Sequence, residues 1–136
     1  MTRFPHLIPL LSTLAPAVLV AALPAHAADA PSTNGPVAAT FGNTVFSVYP
    51  DGRSQKIWLS PDGKWTGLSR RGIALAGTWT TKGEKVCLKQ SQPPTLPLSF
   101  CQTFPEDPMN GIDSKDLTGQ HIHLKLVKGH VEKEPG

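Results

Sequence analysis

From Phe41 onward, apolar and polar residues alternate in short runs, and turn-forming residues separate these runs. No window of about a dozen residues has apolar side chains at helical spacing, so the pattern predicts strands. We predict an all-β domain over residues 41–136. Its expected architecture is an antiparallel meander of seven or eight strands, either a small barrel or a curled sheet.

Two copies of Pro-Asp-Gly, Pro50–Gly52 and Pro61–Gly63, are the clearest turn signals. Proline suits the second turn position and glycine the left-handed bulge position, which predicts two hairpins with three-residue loops. A three-residue loop at the second copy pairs Leu59 with Trp65 on the core face. The same register places Trp58 on the opposite face, which is then also partly apolar.

These turns and the apolar runs define the predicted strands and loops. The strands are residues 44–49, 53–60, 64–69, 74–81, 85–89, 98–104 and 120–127, with a short edge strand at 130–132 if Lys128-Gly129 forms a turn. Two stretches are predicted as loops, residues 90–97 because of their three prolines and residues 104–119 because they are polar.

The first residues have the pattern of a secretory leader. Arg3 is followed by an apolar stretch from Leu7 to Leu23 and by the small residues Ala25 and Ala27. Residues 1–27 are therefore predicted to be a signal peptide, cleaved after Ala27 to leave no transmembrane segment. Residues 28–40 have no periodicity and are predicted to form a flexible arm. The expected location is the periplasm or the medium.

Cys87 and Cys101 are the only cysteines. A pair of cysteines in an exported chain predicts a structural disulfide, here between the fifth and sixth predicted strands. It would close a loop of about 15 residues, which the chain-entropy model values at about 3 kcal/mol.

Charge and motifs argue against several functions. The chain has 13 Lys and Arg against 10 Asp and Glu, and the basic residues are scattered, which does not favour nucleic-acid binding. No hydrolase elbow or zinc-protease helix is present, and oxidised cysteines cannot serve as nucleophiles. We therefore expect a protein that is not an enzyme and needs no cofactor.

Two features are candidate binding sites. His121 and His123 lie two apart on a predicted strand, so their imidazoles would share one face about 7 Å apart and could provide two ligands for zinc or copper. The competing interpretation is two histidines on a wet face. Trp58, which lies off the core face, is the candidate for binding an apolar ligand or a carbohydrate, whereas Trp79 between small residues is expected inside.

The segment from Leu75 to Cys101 contains Gly77-Thr78-Trp79, the strand Lys85–Lys89 and both cysteines. In these features the chain resembles small exported proteobacterial β-proteins with a Gly-x-Trp strand and one disulfide, mostly of unknown function. It also resembles, more faintly, the periplasmic inhibitors of alkaline metalloproteases. That resemblance implies an up-and-down β-barrel whose N-terminal arm enters a protease. Residues 28–40 do not copy the inserting segment of those inhibitors, and no inhibitory residue is transferred.

The sequence thus predicts an exported, non-catalytic binding protein of the bacterial envelope. Its partner would be an envelope protein or a small ligand. The alternatives are a metal-handling protein that uses His121 and His123, and a periplasmic protease inhibitor.

Overall fold

The computed structural model describes residues 32–95 and 98–134. The predicted leader and the first residues of the predicted arm lie outside this part of the chain. Within it, a short 3₁₀ helix is followed by eight strands. Their bounds are Gly35–Thr40 for the 3₁₀ helix, then β1 Asn43–Val48, β2 Ser54–Leu59, β3 Lys64–Leu68, β4 Ala74–Lys82, β5 Lys85–Gln92, β6 Ser99–Gln102, β7 Ile112–Lys115 and β8 His121–Lys128.

All eight strands form one antiparallel sheet, in the order β6-β5-β4-β3-β2-β1-β8-β7. The sheet curls until its two edges, β6 and β7, face each other without pairing, and residues of both line one cavity of about 300 Å³. The protein is therefore an all-β, nearly closed barrel, as predicted. No helix in residues 32–95 or 98–134 is long and apolar enough to span a bilayer.

Both Pro-Asp-Gly turns have the predicted geometry. Gly52 and Gly63 have φ of 80° and 83°, the left-handed conformation that glycine adopts without steric cost. In each turn the aspartate accepts a hydrogen bond from the backbone N–H two residues later, and the register after the second turn pairs Leu59 with Trp65. The core face of this hairpin was thus predicted correctly.

The predicted disulfide is present. Cys87 on β5 lies directly opposite Cys101 on β6, with their Cα atoms 3.9 Å apart. The bond joins the edge strand β6 to its neighbour from the outer side of the sheet, because Val86 and Leu88 on either side of Cys87 face the core. Such a bond is consistent with a protein that folds outside the cytoplasm.

The 3₁₀ helix closes one end of the barrel. Val37 in this helix is buried in the main hydrophobic cluster, and Phe41 lies 5.8 Å from Trp79 between ring centroids. Trp79 is itself buried, as predicted, and donates from Nε1 to the carbonyl of Ser60 at 2.8 Å. The prediction of a flexible arm is therefore wrong for Gly35–Thr40, because an apolar side chain in this segment seals the barrel.

Two further predictions near the C-terminus are corrected. The polar segment 104–119 was predicted as a loop, but Ile112–Lys115 form β7, whose alternate residues Ile112 and Ser114 are the less exposed ones. Residues 130–132 were predicted as a strand, but they have no strand conformation. Instead, the chain after β8 crosses the outer face of β1 and β2. It contacts the side chains of Thr44 and Trp58 there and does not pair with a strand.

Candidate functional site

The antiparallel order places four of the seven connections between strands at one end of the barrel and three at the other. The end opposite the 3₁₀ helix carries the β1–β2, β3–β4 and β7–β8 turns and the loop between β5 and β6. Three large apolar side chains stand exposed at this end: Ile73, in the β3–β4 turn, is 51% exposed, Leu98, before β6, is 62% exposed and Leu117, in the β7–β8 turn, is 70% exposed. We call this end the mouth, and we call the other end the base.

Two adjoining cavities of about 390 and 240 Å³ open at the mouth. They share four lining residues and therefore lie side by side, and we call the two together the lumen. The shared residues are Gln55, Leu88, Phe100 and Leu117. Its total size is in the range of pockets that hold small molecules.

The inward-facing residues explain why only the mouth half is hollow. Near the base, bulky residues such as Trp79 and Phe104 fill the interior. Toward the mouth, the inward positions of β3 and β4 include Gly67 and Gly77, which contribute no side chain. Trp65 and the backbone carbonyl oxygens of Lys56 and Lys89 lie where those side chains would begin, and neither glycine adds bulk to the centre of the barrel.

Trp65 lies flat against the wall of the lumen. A Cβ on Gly67 would meet its Cζ3 at 3.4 Å and a Cβ on Gly77 would meet its Nε1 at 2.7 Å, so opposite edges of the indole cover both glycines. The Nε1 donates to the carbonyl of Thr78 at 3.0 Å, which fixes the ring. An indole held in this way offers its apolar surface to the cavity that it lines.

The remaining lining combines apolar and polar groups. Ile57 and Ile122 continue the apolar wall into the second cavity. The polar groups are mostly neutral, and the charged residue among the lining is Asp116 in the β7–β8 turn; the set is Ser47, Tyr49, Gln55, Gln90, Thr95, Gln102, Asp116 and Thr118.

Tyr49 and Asp116 form a polar pair beside the mouth. The Tyr49 hydroxyl donates to the Asp116 carboxylate, and the guanidinium of Arg70 stands 3.9 Å above the tyrosine ring. Burial of the ring, followed by the negative charge of Asp116, raises the pKa of Tyr49. Burial alone would raise the pKa of Asp116 too. Hydrogen bonds from Thr118, Gln120 and Tyr49 outweigh it and lower that pKa, so the carboxylate is ionised at neutral pH.

His121 and His123, the predicted metal ligands, lie on the outer side of β8 and line one depression of about 430 Å³. His123 is committed to a different partner: its Nδ1 lies 2.7 Å from Oδ1 of Asp113 on the neighbouring β7. The imidazole also covers Gly111, where a Cβ would collide with Nε2. Within residues 32–95 and 98–134, no three His, Cys, Asp or Glu side chains are grouped to hold a metal ion.

Trp58, the predicted ligand platform, is on the outer face as expected, but the C-terminal segment covers it. The ring of His130 stacks on the indole at 4.0 Å between centroids. Trp58 Nε1 and the backbone N–H of Val131 both donate to the hydroxyl of Thr44, at 2.8 and 2.9 Å. A ligand on this side of the ring would have to displace His130, and a role for Trp58 stays a prediction.

Sequence reasoning missed the residues that line the lumen, because Trp65 was assigned to the core with no separate role. The available signal was the register itself. It places Gly67 and Gly77 next to Trp65 on the inner face, and two glycines beside one indole leave that part of the barrel wall without other large side chains.

In comparisons with known proteins, no family model, no curated protein sequence and no solved structure matches this chain.

Proposed function

We propose that this is an exported, non-catalytic protein that binds a small apolar or amphipathic molecule in the lumen. The observation that carries the proposal is the half-filled barrel. Its base is sealed by Val37 and Trp79, whereas its mouth leads to a space of ligand size that is lined by Trp65, Leu88 and Phe100. Eight-stranded barrels are just wide enough to hold one small ligand in this way.

The rim supports the same proposal. Leu98 and Leu117 expose apolar surface beside the opening, where water must otherwise hydrate it. A molecule that enters the lumen would cover part of both side chains. Export is supported by the disulfide and by the leader predicted for residues 1–27, and it would expose the protein to molecules of the periplasm or the medium.

The alternatives have less support. A metal-handling role would need a third ligand beside His121 and His123. A protease inhibitor of the type implied by the resemblance would need a free N-terminal arm, and the packing of Gly35–Thr40 leaves only the residues before Gly35 for that role.

A neutral, solvent-sensitive fluorophore such as N-phenyl-1-naphthylamine tests the proposal on the oxidised protein. We expect saturable binding, with energy transfer from tryptophan, because the probe would lie against Trp65. Gln55→Phe places an aromatic ring in the part of the lumen that both cavities share and should weaken binding by roughly tenfold. The matched control is Trp58→Phe on the outer face, which should leave the affinity unchanged.

The far-ultraviolet spectrum and the disulfide of each variant show whether it has folded. Wild-type protein that does not bind the probe, or equal affinities for wild type and folded Gln55→Phe, would contradict the proposal. Loss of binding in Trp58→Phe alone would move the site to the outer face.

A further inference from the structure

One buried polar atom beside the lumen lacks a hydrogen-bond partner. Gln102, at the end of β6, is 7% exposed and lines the second cavity. Its Oε1 is buried and accepts no hydrogen bond from any residue in the described part of the chain. A buried carbonyl oxygen without a donor costs free energy, so native proteins almost always satisfy such atoms. The atom therefore indicates a place where a donor from outside the chain belongs.

The position of Gln102 within the barrel defines how far that donor must reach. Strand β6 runs from Leu98 at the mouth toward Phe104 near the base, and Gln102 pairs with the buried Val86. The amide is thus below the rim, behind Phe100 and Leu88. A molecule that reaches it from the mouth must carry its donor past these apolar side chains, which requires an apolar body. Gln102 also lines the cavity between β6 and β7.

The charges around the lumen select the kind of donor. Asp116, which lines the second cavity, is the charged residue among those that line the lumen, and its Oδ1 already accepts three hydrogen bonds, two from Thr118 and one from Gln120. Arg70 lies on the ring of Tyr49 and is not part of the lining. A carboxylate that entered the lumen and reached Gln102 would meet a carbonyl oxygen, and the lining of the two lumen cavities holds an anion but no cation to offset its lost hydration. Lys85 and Lys115 line the separate cavity between β6 and β7.

A hydroxyl fits the same position. It both donates and accepts, so it pairs with a glutamine amide in either of the two orientations that the amide can adopt. It also carries no charge that would have to be buried. An ether lacks one half of this complementarity, because its oxygen accepts a hydrogen bond but cannot donate one.

We propose that the lumen takes a neutral amphipathic molecule, an apolar chain whose hydroxyl donates a hydrogen bond to Oε1 of Gln102. This inference rests on the proposed function and narrows it to one ligand class. Trp65, Leu88 and Phe100 contact the chain, and Gln102 discriminates between end groups.

Displacement of the fluorescent probe by matched compounds tests the inference. Decanol, methyl decyl ether and decanoate present the same alkyl chain with a donor, with an acceptor alone and with a negative charge. In wild type, we expect decanol to displace the probe at concentrations about tenfold lower than the other two, which corresponds to one hydrogen bond. Gln102→Met keeps the length of the side chain without its polar atoms, and it should make decanol and the ether equivalent.

The control variant is Gln90→Met. Gln90 also lines the lumen, but its Nε2 already donates to the carbonyl of Pro93 at 2.8 Å, so the preference for decanol should survive. Equal displacement of the probe from wild type by decanol and the ether would overturn the inference, because water would then satisfy Gln102 equally well. This comparison is decisive even if Gln102→Met fails to fold. Failure of wild type to bind the probe would overturn the proposed function as well, so the two failures are distinguishable.

Discussion

Removal of the disulfide is the perturbation whose magnitude follows most directly from the structure. Cys87 and Cys101 are separated by 14 positions, and they join the edge strand β6 to β5. In the unfolded chain the bond closes a loop of about 15 residues, and the lost chain entropy corresponds to about 3 kcal/mol. We expect Cys87→Ala/Cys101→Ala to reduce the free energy of unfolding by that amount and Tm by on the order of 10–20 °C.

Urea unfolding at equilibrium, followed by tryptophan fluorescence, measures this loss. Wild type unfolded in the presence of a reductant is the matched control, because it lacks the bond but retains both sulfur atoms. The variant and the reduced wild type should agree within a few tenths of a kcal/mol. A loss below about 1 kcal/mol in both would refute the reasoning, since it would mean that the loop is already restricted in the unfolded chain.

Three further outcomes are expected. Val37→Ala should lower the free energy of unfolding in urea by about 1.5–3 kcal/mol, because it removes two buried methyl groups from the base. The control Asn34→Ala, at an exposed position, should change that free energy by less than about 0.5 kcal/mol. Equal effects of the two substitutions would show that the 3₁₀ helix does not seal the barrel. Gly111→Ala should lower the free energy of unfolding by about 1–3 kcal/mol in the same assay, because its Cβ would collide with the imidazole of His123. Adding His123→Ala should restore part of that loss. If stability is not restored, the collision is with the backbone alone. Tyr49 is the only tyrosine, so tyrosinate absorbance should report its raised pKa directly. The contribution of Tyr49 to stability should be complete below about pH 10 and should be lost as the pH rises through the folded-state pKa. An Asp116→Asn variant with an unchanged Tyr49 pKa would exclude the aspartate as a cause of the shift.

Local chemistry made much of the fold predictable. Pro61-Asp62-Gly63 requires a particular turn, and that turn together with the alternation of Leu59 and Trp65 leaves one register that buries both. The errors lie where local signals are weak. Strand β7 is four residues long with one apolar side chain, and Gly35–Thr40 resembles a linker in composition because Val37 is its only large apolar residue.

The candidate site was less predictable, because it depends on residues that are distant in sequence. The pairing of β1 with β8 and the approach of β6 to β7 bring Gln55, Phe100 and Leu117 around one cavity. Trp58 and His130, which are far apart along the chain, stack because the polypeptide returns over the outer face after β8. No spacing rule within a strand reveals either arrangement.

The amino-acid sequence by itself determined that the chain forms antiparallel strands, where the hairpins turn and which cysteines are joined, because these features depend on the conformational preferences of neighbouring residues. Only the tertiary structure decided that the barrel is plugged at one end and open at the other, and that Trp65 and Gln102 face the open space. The physical reason is that a cavity is defined by what all the walls leave unfilled, and the residues of those walls meet only when the sheet curls upon itself.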